Sequence, residues 1–241
     1  MASLDPYLLL ARLLVGTVVL TFASFTDWYW RRAPNILWLI LGTCGLVILL
    51  LDLTLGNAPH PWPYLAIVPL VMALLYGAFH VGLIYGGADA KAVMALAVLL
   101  PFPLAGTLVA TNPSLMPGWF AVVGNSLLVF LVIPLAYAAL NLARRDLAFP
   151  YTLLGVRVDV DGIETRHVWP MERIEEGRRV RQLFPRRDVE ITQEAEALRA
   201  AGVTRVWATP KVPFMIPLAV GFLAAFLLGD LITWLVSATG S

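Results

Sequence analysis

Five acidic residues, Asp5, Asp27, Asp52, Asp89 and Asp230, lie within or beside long apolar runs of this 241-residue sequence. Ionisable groups in such runs are costly to keep, so each is a candidate for function. Two carboxylates brought together share one proton more readily than both ionise. The charged one can then act as a base on water while the protonated one polarises a carbonyl, which is hydrolytic chemistry needing no metal. Competing catalytic patterns are missing: the sequence has no HExxH, no GxSxG and no P-loop, and His60, His80 and His167 are not at ligand spacing. Cys44 is the single cysteine, which excludes an internal disulfide and a thiolate zinc site. Neither cofactor nor metal is expected.

The elements that must position these acids are membrane helices. Hydrophobic residues make up 59% of the chain, charged residues 14%, and the mean hydropathy is +0.79. A net charge of +1 creates no global field for nucleic acid, and none is expected as a partner. Spanning a bilayer takes about 20 apolar residues. Six stretches reach that length: Pro6–Thr26, Pro34–Leu51, Pro63–Leu83, Ala88–Thr107, Gly118–Leu142 and Val212–Val236. The first is not preceded by a basic stretch and reads as a retained span rather than a cleaved signal. The expected fold is thus an all-α polytopic membrane protein of six transmembrane helices, with a small, mainly-β insert between the fifth and sixth.

That insert, 143–211, separates the helices at 1–142 from the last one at 212–241. It carries 13 of the 17 Lys and Arg and 11 of the 16 Asp and Glu. Val156–Val160 alternates apolar and polar residues and meets Asp161-Gly162, which predicts a strand and a hairpin turn. A helix is expected over Thr192–Ala201, with Thr192 as its cap and Gly202 as its stop, followed by a strand over Val203–Trp207.

Outside the insert the basic residues are Arg12, Arg31, Arg32 and Lys91. Arg31, Arg32, Lys91 and the insert fall on one side of a six-span chain, and by the positive-inside rule that side is the cytoplasm, with both termini outside. Arg12 is the exception; within span one it must snorkel or pair in the bundle. This topology sorts the acids. Asp5, Asp52 and Asp230 fall toward the outer surface, whereas Asp27 ends span one and Asp89 begins span four, both at the cytoplasmic surface.

Residues beside the pair sharpen the reading. Gly86-Gly87-Ala88-Asp89-Ala90-Lys91 places glycines where another backbone could approach the acid, or simply where a tight turn needs them. Asp27-Trp28-Tyr29-Trp30-Arg31-Arg32-Ala33-Pro34-Asn35 has the make-up of an aromatic belt and a basic loop, with Pro34 suited to a helix start. Together the two stretches resemble the type IV prepilin peptidases, a branch of the GxGD aspartyl proteases, and most closely the archaeal preflagellin (prearchaellin) peptidases. The likeness extends to Thr165-Arg166-His167-Val168-Trp169 and to Val206-Trp207-Ala208-Thr209-Pro210-Lys211-Val212-Pro213-Phe214-Met215-Ile216-Pro217, so it covers almost the whole chain in order and spacing.

The resemblance implies an aspartic endopeptidase with Asp27 and Asp89 as catalytic residues and Gly86, Gly87 and Ala88 as the backbone of the second motif. Its implied substrates are archaellin or type IV pilin-like precursors, cut behind a short basic leader at the cytoplasmic face of the lipid bilayer. Ala88 stands where the family motif has glycine, which bears on subtype. With one cysteine and no cysteine-rich loop, methyl transfer is not implied. Thr26, not tyrosine, precedes Asp27, unlike the presenilin-like proteases. Asn35 and Lys91 are possible supporting residues, although Lys91, two positions from Asp89, points elsewhere on the helix and suits a headgroup anchor. His80 suits interfacial packing. By helix-end electrostatics Asp89, at a helix start, is the expected base and Asp27, at a helix end, the expected acid. The alternative is a proton-coupled transporter or relay using Asp27 and Asp89, for which discontinuous helices and midplane acids are the signature.

Overall fold

The computed structural model describes residues 6–55, 61–81, 87–104, 116–183 and 190–239. In chain order the helices and strands are α1 (Pro6–Trp30), α2 (Asn35–Thr54), α3 (Pro61–His80), α4 (Gly87–Leu99), α5 (Gly118–Ala143), α6 (Tyr151–Leu154), β1 (Val156–Asp159), β2 (Val168–Pro170), β3 (Glu172–Glu175), β4 (Arg178–Arg181), α7 (Ile191–Ala200), β5 (Arg205–Pro210), α8 (Met215–Leu227) and α9 (Leu231–Thr239). They form two compact units. Unit 1 comprises 1–130 and 213–241, and unit 2 is 131–212.

Unit 1 is a helical bundle whose core joins Val19, Leu20 and Ala23 of α1, Leu37, Leu41 and Ile48 of α2, Ala92, Leu96 and Leu99 of α4, and Leu218, Phe222 and Ala225 of α8. Small residues set the approach of the helices, as they do where lipid supplies no hydrophobic drive. A Cβ on Gly45 would sit 2.8 Å from the Leu99 backbone, and one on Gly16 would sit 2.1 Å from the Phe222 ring. The contacts also fix direction. Asn35 meets Lys91, Gly42 meets Ala95 and Gly45 meets Leu99, so α2 and α4 run parallel. Arg12 meets Asp52, so α1 is antiparallel to α2; Ser24 meets Met215 and Gly16 meets Phe222, so α1 is antiparallel to α8.

Four described helices are long and apolar enough to cross a bilayer: Pro6–Trp30, Asn35–Thr54, Trp62–His80 and Gly118–Ala143. A fifth is added if α8 and α9, bent by 66°, count as one. The stretch expected as span four behaves differently. Pro101 and Pro103 cannot continue a helix, and the residue before proline is pushed from helical geometry. α4 therefore stops at Leu99 after 13 residues, about 20 Å of helix against a hydrocarbon core of about 30 Å. The chain beyond pairs with the start of α5: Trp119 N–H donates to Leu100 O at 3.1 Å and Gly118 N–H to Phe102 O at 2.8 Å.

The α8–α9 break is bracketed from α5. Buried Asn125 donates from Nδ2 to Gly229 O at 2.9 Å and accepts at Oδ1 from Leu231 N–H at 3.1 Å. Asp230 caps α9, its Oδ1 accepting from Ile232 and Thr233 N–H. Discontinuous helices, not evident from the sequence, are thus present.

In unit 2 a three-stranded antiparallel sheet has the order β1-β5-β2, and β3 pairs with β4 in a separate hairpin. Asp161-Gly162 does not make a hairpin: β1 pairs with β5, Val158 opposite Val206, and the turn leads into a 3-10 turn at Ile163–Thr165. The hairpin lies instead at Glu176-Gly177, both with positive φ, 49° and 75°, as a two-residue type I′ turn requires. Ala195 and Leu198 of α7 pack with Val160, Ile163, Val168, Val206 and Ala208. Thr192 lies inside α7 rather than capping it, because the chain enters from an extended Glu190; Gly202, at φ 71°, does end it.

Candidate active site

Asp27 lies one turn from the end of α1. Its carbonyl accepts the Arg31 N–H at 3.0 Å, and Arg31, at φ 53°, turns the chain out of the helix. The Asp27 side chain is partly exposed, and its Oδ2 accepts the backbone N–H of Met215, the first residue of α8, at 3.3 Å. One turn earlier Ser24 Oγ donates to Met215 O at 2.9 Å. The start of α8 is therefore stapled to the end of α1 through both polar groups of one peptide residue. Arg31 lies within electrostatic reach of Asp27.

Asp89 is partly buried in the first turn of α4, beside Ala88, which packs on the core, and Ala90, which is buried. Gly87 faces Phe79, whose ring would be 3.1 Å from an added Cβ. Gly86, His60 and Asp5 lie outside the described residues. Lys91 Nζ donates to Asn35 Oδ1 at 2.9 Å, clasping the starts of α4 and α2. Lys91 thus has a protein partner and is more than a headgroup anchor. His80 packs on Tyr76, ring centroids 4.3 Å apart, while Trp28, Tyr29 and Trp30 are exposed, as an interfacial belt would be.

These contacts gather the N-termini of α2, α4 and α8 at the C-terminal end of α1, so Asp27 and Asp89 share one end of unit 1. Asp52 and Asp230 are elsewhere. Asp52 is fully buried against Arg12, and Asp230 is spent on the α9 cap. Helix-end electrostatics do not single out Asp89 as base, because Asp27 also faces a helix N-terminus, that of α8. The Met215 N–H was the part that residue reading missed. Pro213 and Pro217 on either side of it mark a helix start with unpaired amides, but do not say which acid they meet.

Comparison with known proteins supplies the class. The sequence model of the type IV leader peptidase family matches residues 14–142, and that of the archaeal peptidase A24 C-terminus, type II, matches residues 147–231. The chain belongs to the type IV leader peptidase family and is a multi-pass membrane peptidase. Among individual proteins it is similar to the preflagellin peptidase of Methanococcus voltae, 24% identical over 228 residues, with 90% of this chain and 94% of that protein covered.

Proposed function

We propose that the chain is an aspartic endopeptidase that removes the short basic leader from archaellin or type IV pilin-like precursors at the cytoplasmic face of the membrane. Asp27 and Asp89 form its catalytic pair. The observation that carries this reading is their common location: Lys91, two residues from Asp89 in the first turns of α4, holds Asn35, and Asn35 opens the helix that follows Asp27 by one short loop. In this mechanism the two carboxyls share a proton. One activates water while the other donates to the scissile carbonyl, and the proton moves to the leaving amine. The Met215 N–H orients the Asp27 carboxyl.

The basic insert and the Arg31-Arg32 loop support a cytoplasmic placement of this end, with both chain termini outside. We read α4 with its proline-rich continuation, and α8 with α9, as the fourth and sixth crossings. The α8–α9 break favours the relay alternative in one respect, being a discontinuous helix. The acid at that break, however, is Asp230, and its oxygens cap α9, whereas Asp27 and Asp89 stand at the ends of α1 and α4.

The test is cleavage of a precursor with a basic leader and an apolar helix, by protein reconstituted in liposomes. Asp27→Asn and Asp89→Asn, each assayed alone, are expected to lose activity by about 10²–10⁴-fold or more, the span of general acid–base contributions. Wild-type cleavage by either variant would remove the pair from the reaction.

A further inference from the structure

Arg12 is 1% exposed and Asp52 0%, in the half of unit 1 away from Asp27. The Arg12 guanidinium makes two bonds at once: one to the Asp52 carboxylate on α2, and one from Nε to Leu99 O, at 2.7 Å, on the last residue of α4. The second bond has a clear origin. α4 is stopped by Pro101 and leaves backbone carbonyls with no helical partner, in surroundings that offer no water. Leu100 O and Phe102 O are taken by α5, and Leu99 O by Arg12. A cation at a helix C-terminus also suits the helix dipole.

As a device for stability alone the pair is poor. Arg12 Nη1 and Asp52 Oδ1 have no hydrogen-bond partner among the described residues, and apolar side chains in place of a buried ion pair often hold a fold as well or better. What the pair does supply is geometry. A guanidinium offers two donors in a fixed fork, so the Leu99 carbonyl is held at a set place relative to both α1 and α2. Asp89 stands about 15 Å up the same rigid helix from Leu99, and α1, which carries Arg12, also carries Asp27.

We propose that Arg12 is a positioning residue for the peptidase reaction: held by Asp52, it pins the C-terminal end of α4 and so sets the axial position of Asp89 relative to Asp27. This rests on the reading of those two aspartates as the catalytic pair. Asp52 acts by holding Arg12, and neither residue touches substrate.

The experiment uses the full chain in liposomes and the same precursor. In the double variant Arg12→Met with Asp52→Leu, no buried charge is left unpaired. It is expected to fold, with its melting temperature lowered by no more than the loss of the one buried hydrogen bond to Leu99 O, and to keep KM, but to lose kcat by about tenfold or more, the scale of a small misplacement of reacting groups. A reporter follows the helix itself. Gly42→Cys with Ala95→Cys, in a Cys44→Ala background, joins α2 to α4 at positions whose Cβ atoms are 4.0 Å apart, within disulfide range. Oxidation of this pair is expected to slow when the double variant is added.

Unchanged kcat together with unchanged cross-linking overturns the proposal, as does a loss that vanishes once rates are expressed per folded molecule. Should the double variant not fold, Arg12→Lys keeps the charge and removes the fork. A kcat deficit at constant KM then supports positioning, and wild-type kcat refutes it. Asp27→Asn assayed alongside reads the parent assignment: if it cuts normally both ideas fall, whereas if it is inactive and the Arg12 variants are unimpaired, only the positioning role falls.

Discussion

At one end of unit 1 Asp52 is sealed from solvent and bound to a guanidinium; at the other, Asp27 keeps partial exposure and takes a backbone N–H from Met215. Unit 2 repeats the first pattern at buried Glu172, which is met by Arg179 and Arg181 of the neighbouring strand. A carboxylate closed off by arginine holds structure and cannot readily exchange a proton. One that is oriented by an amide and left open to water can. Within unit 1 the difference separates an acid that builds the bundle, Asp52, from one left open to water, Asp27, although both interrupt apolar sequence.

The contrast can be broken most forcefully at Asp52. Asp52→Asn leaves the Arg12 charge buried without its partner and is expected to cost about 3–5 kcal/mol, read as a lowered melting temperature in detergent. Asp27→Asn keeps the shape and an acceptor for Met215 and is expected to melt close to wild type. Equal destabilisation by the two would erase the distinction between structural and chemical acids.

A smaller effect is expected at the clasp beside Asp89. Lys91→Met or Asn35→Ala removes one exposed hydrogen bond, worth about 1 kcal/mol. Cleavage should fall by a few-fold, and the double variant should fall no further than either single one. Additive losses would mean that Lys91 and Asn35 act separately.

The smallest effect lies in unit 2 and depends on pH. The backbone N–H of Glu164 itself, and then Arg199, hold the Glu164 carboxyl below its ordinary value of 4.5. A depressed value in the folded protein means that this contribution is complete above the ordinary value and is lost as pH falls through the lowered one. Hydrogen exchange of α7 in the full chain should therefore show extra protection over Glu164→Gln at neutral pH, with the gap closing only in that acid window. A gap that opened on acidification would reverse the sign and refute the assignment.

The acids were legible in the sequence because charge in an apolar run is conspicuous without any knowledge of packing. The six-span count also put Asp27 and Asp89 at one end; in the structure that end is gathered by contacts of Lys91 with Asn35 and of Met215 with Asp27, which no span count contains. What the sequence hid was pairing at a distance. Arg12 was visibly anomalous, yet nothing local names Asp52 or Leu99 as its partners. Asp161-Gly162 carries a hairpin signal, but β1 finds its partner in β5, dozens of residues away, and turn chemistry does not encode that choice. The true hairpin at Glu176-Gly177 lies in a run of charges that masks its alternation. In α4 the stop at Pro101 was written plainly, and apolar composition continuing to Thr107 outweighed it in the span count.

The bracket of Asn125 around the α8–α9 break has a consequence for how the protein is made. The peptide groups freed at Gly229 and Leu231 find partners on a side chain from α5, which leaves the ribosome well before them. The last segment to be synthesised thus arrives at a prepared seat. A chain lacking Asn125 would have to deliver a half-satisfied segment into lipid, and its final stage of insertion is where assembly should stall.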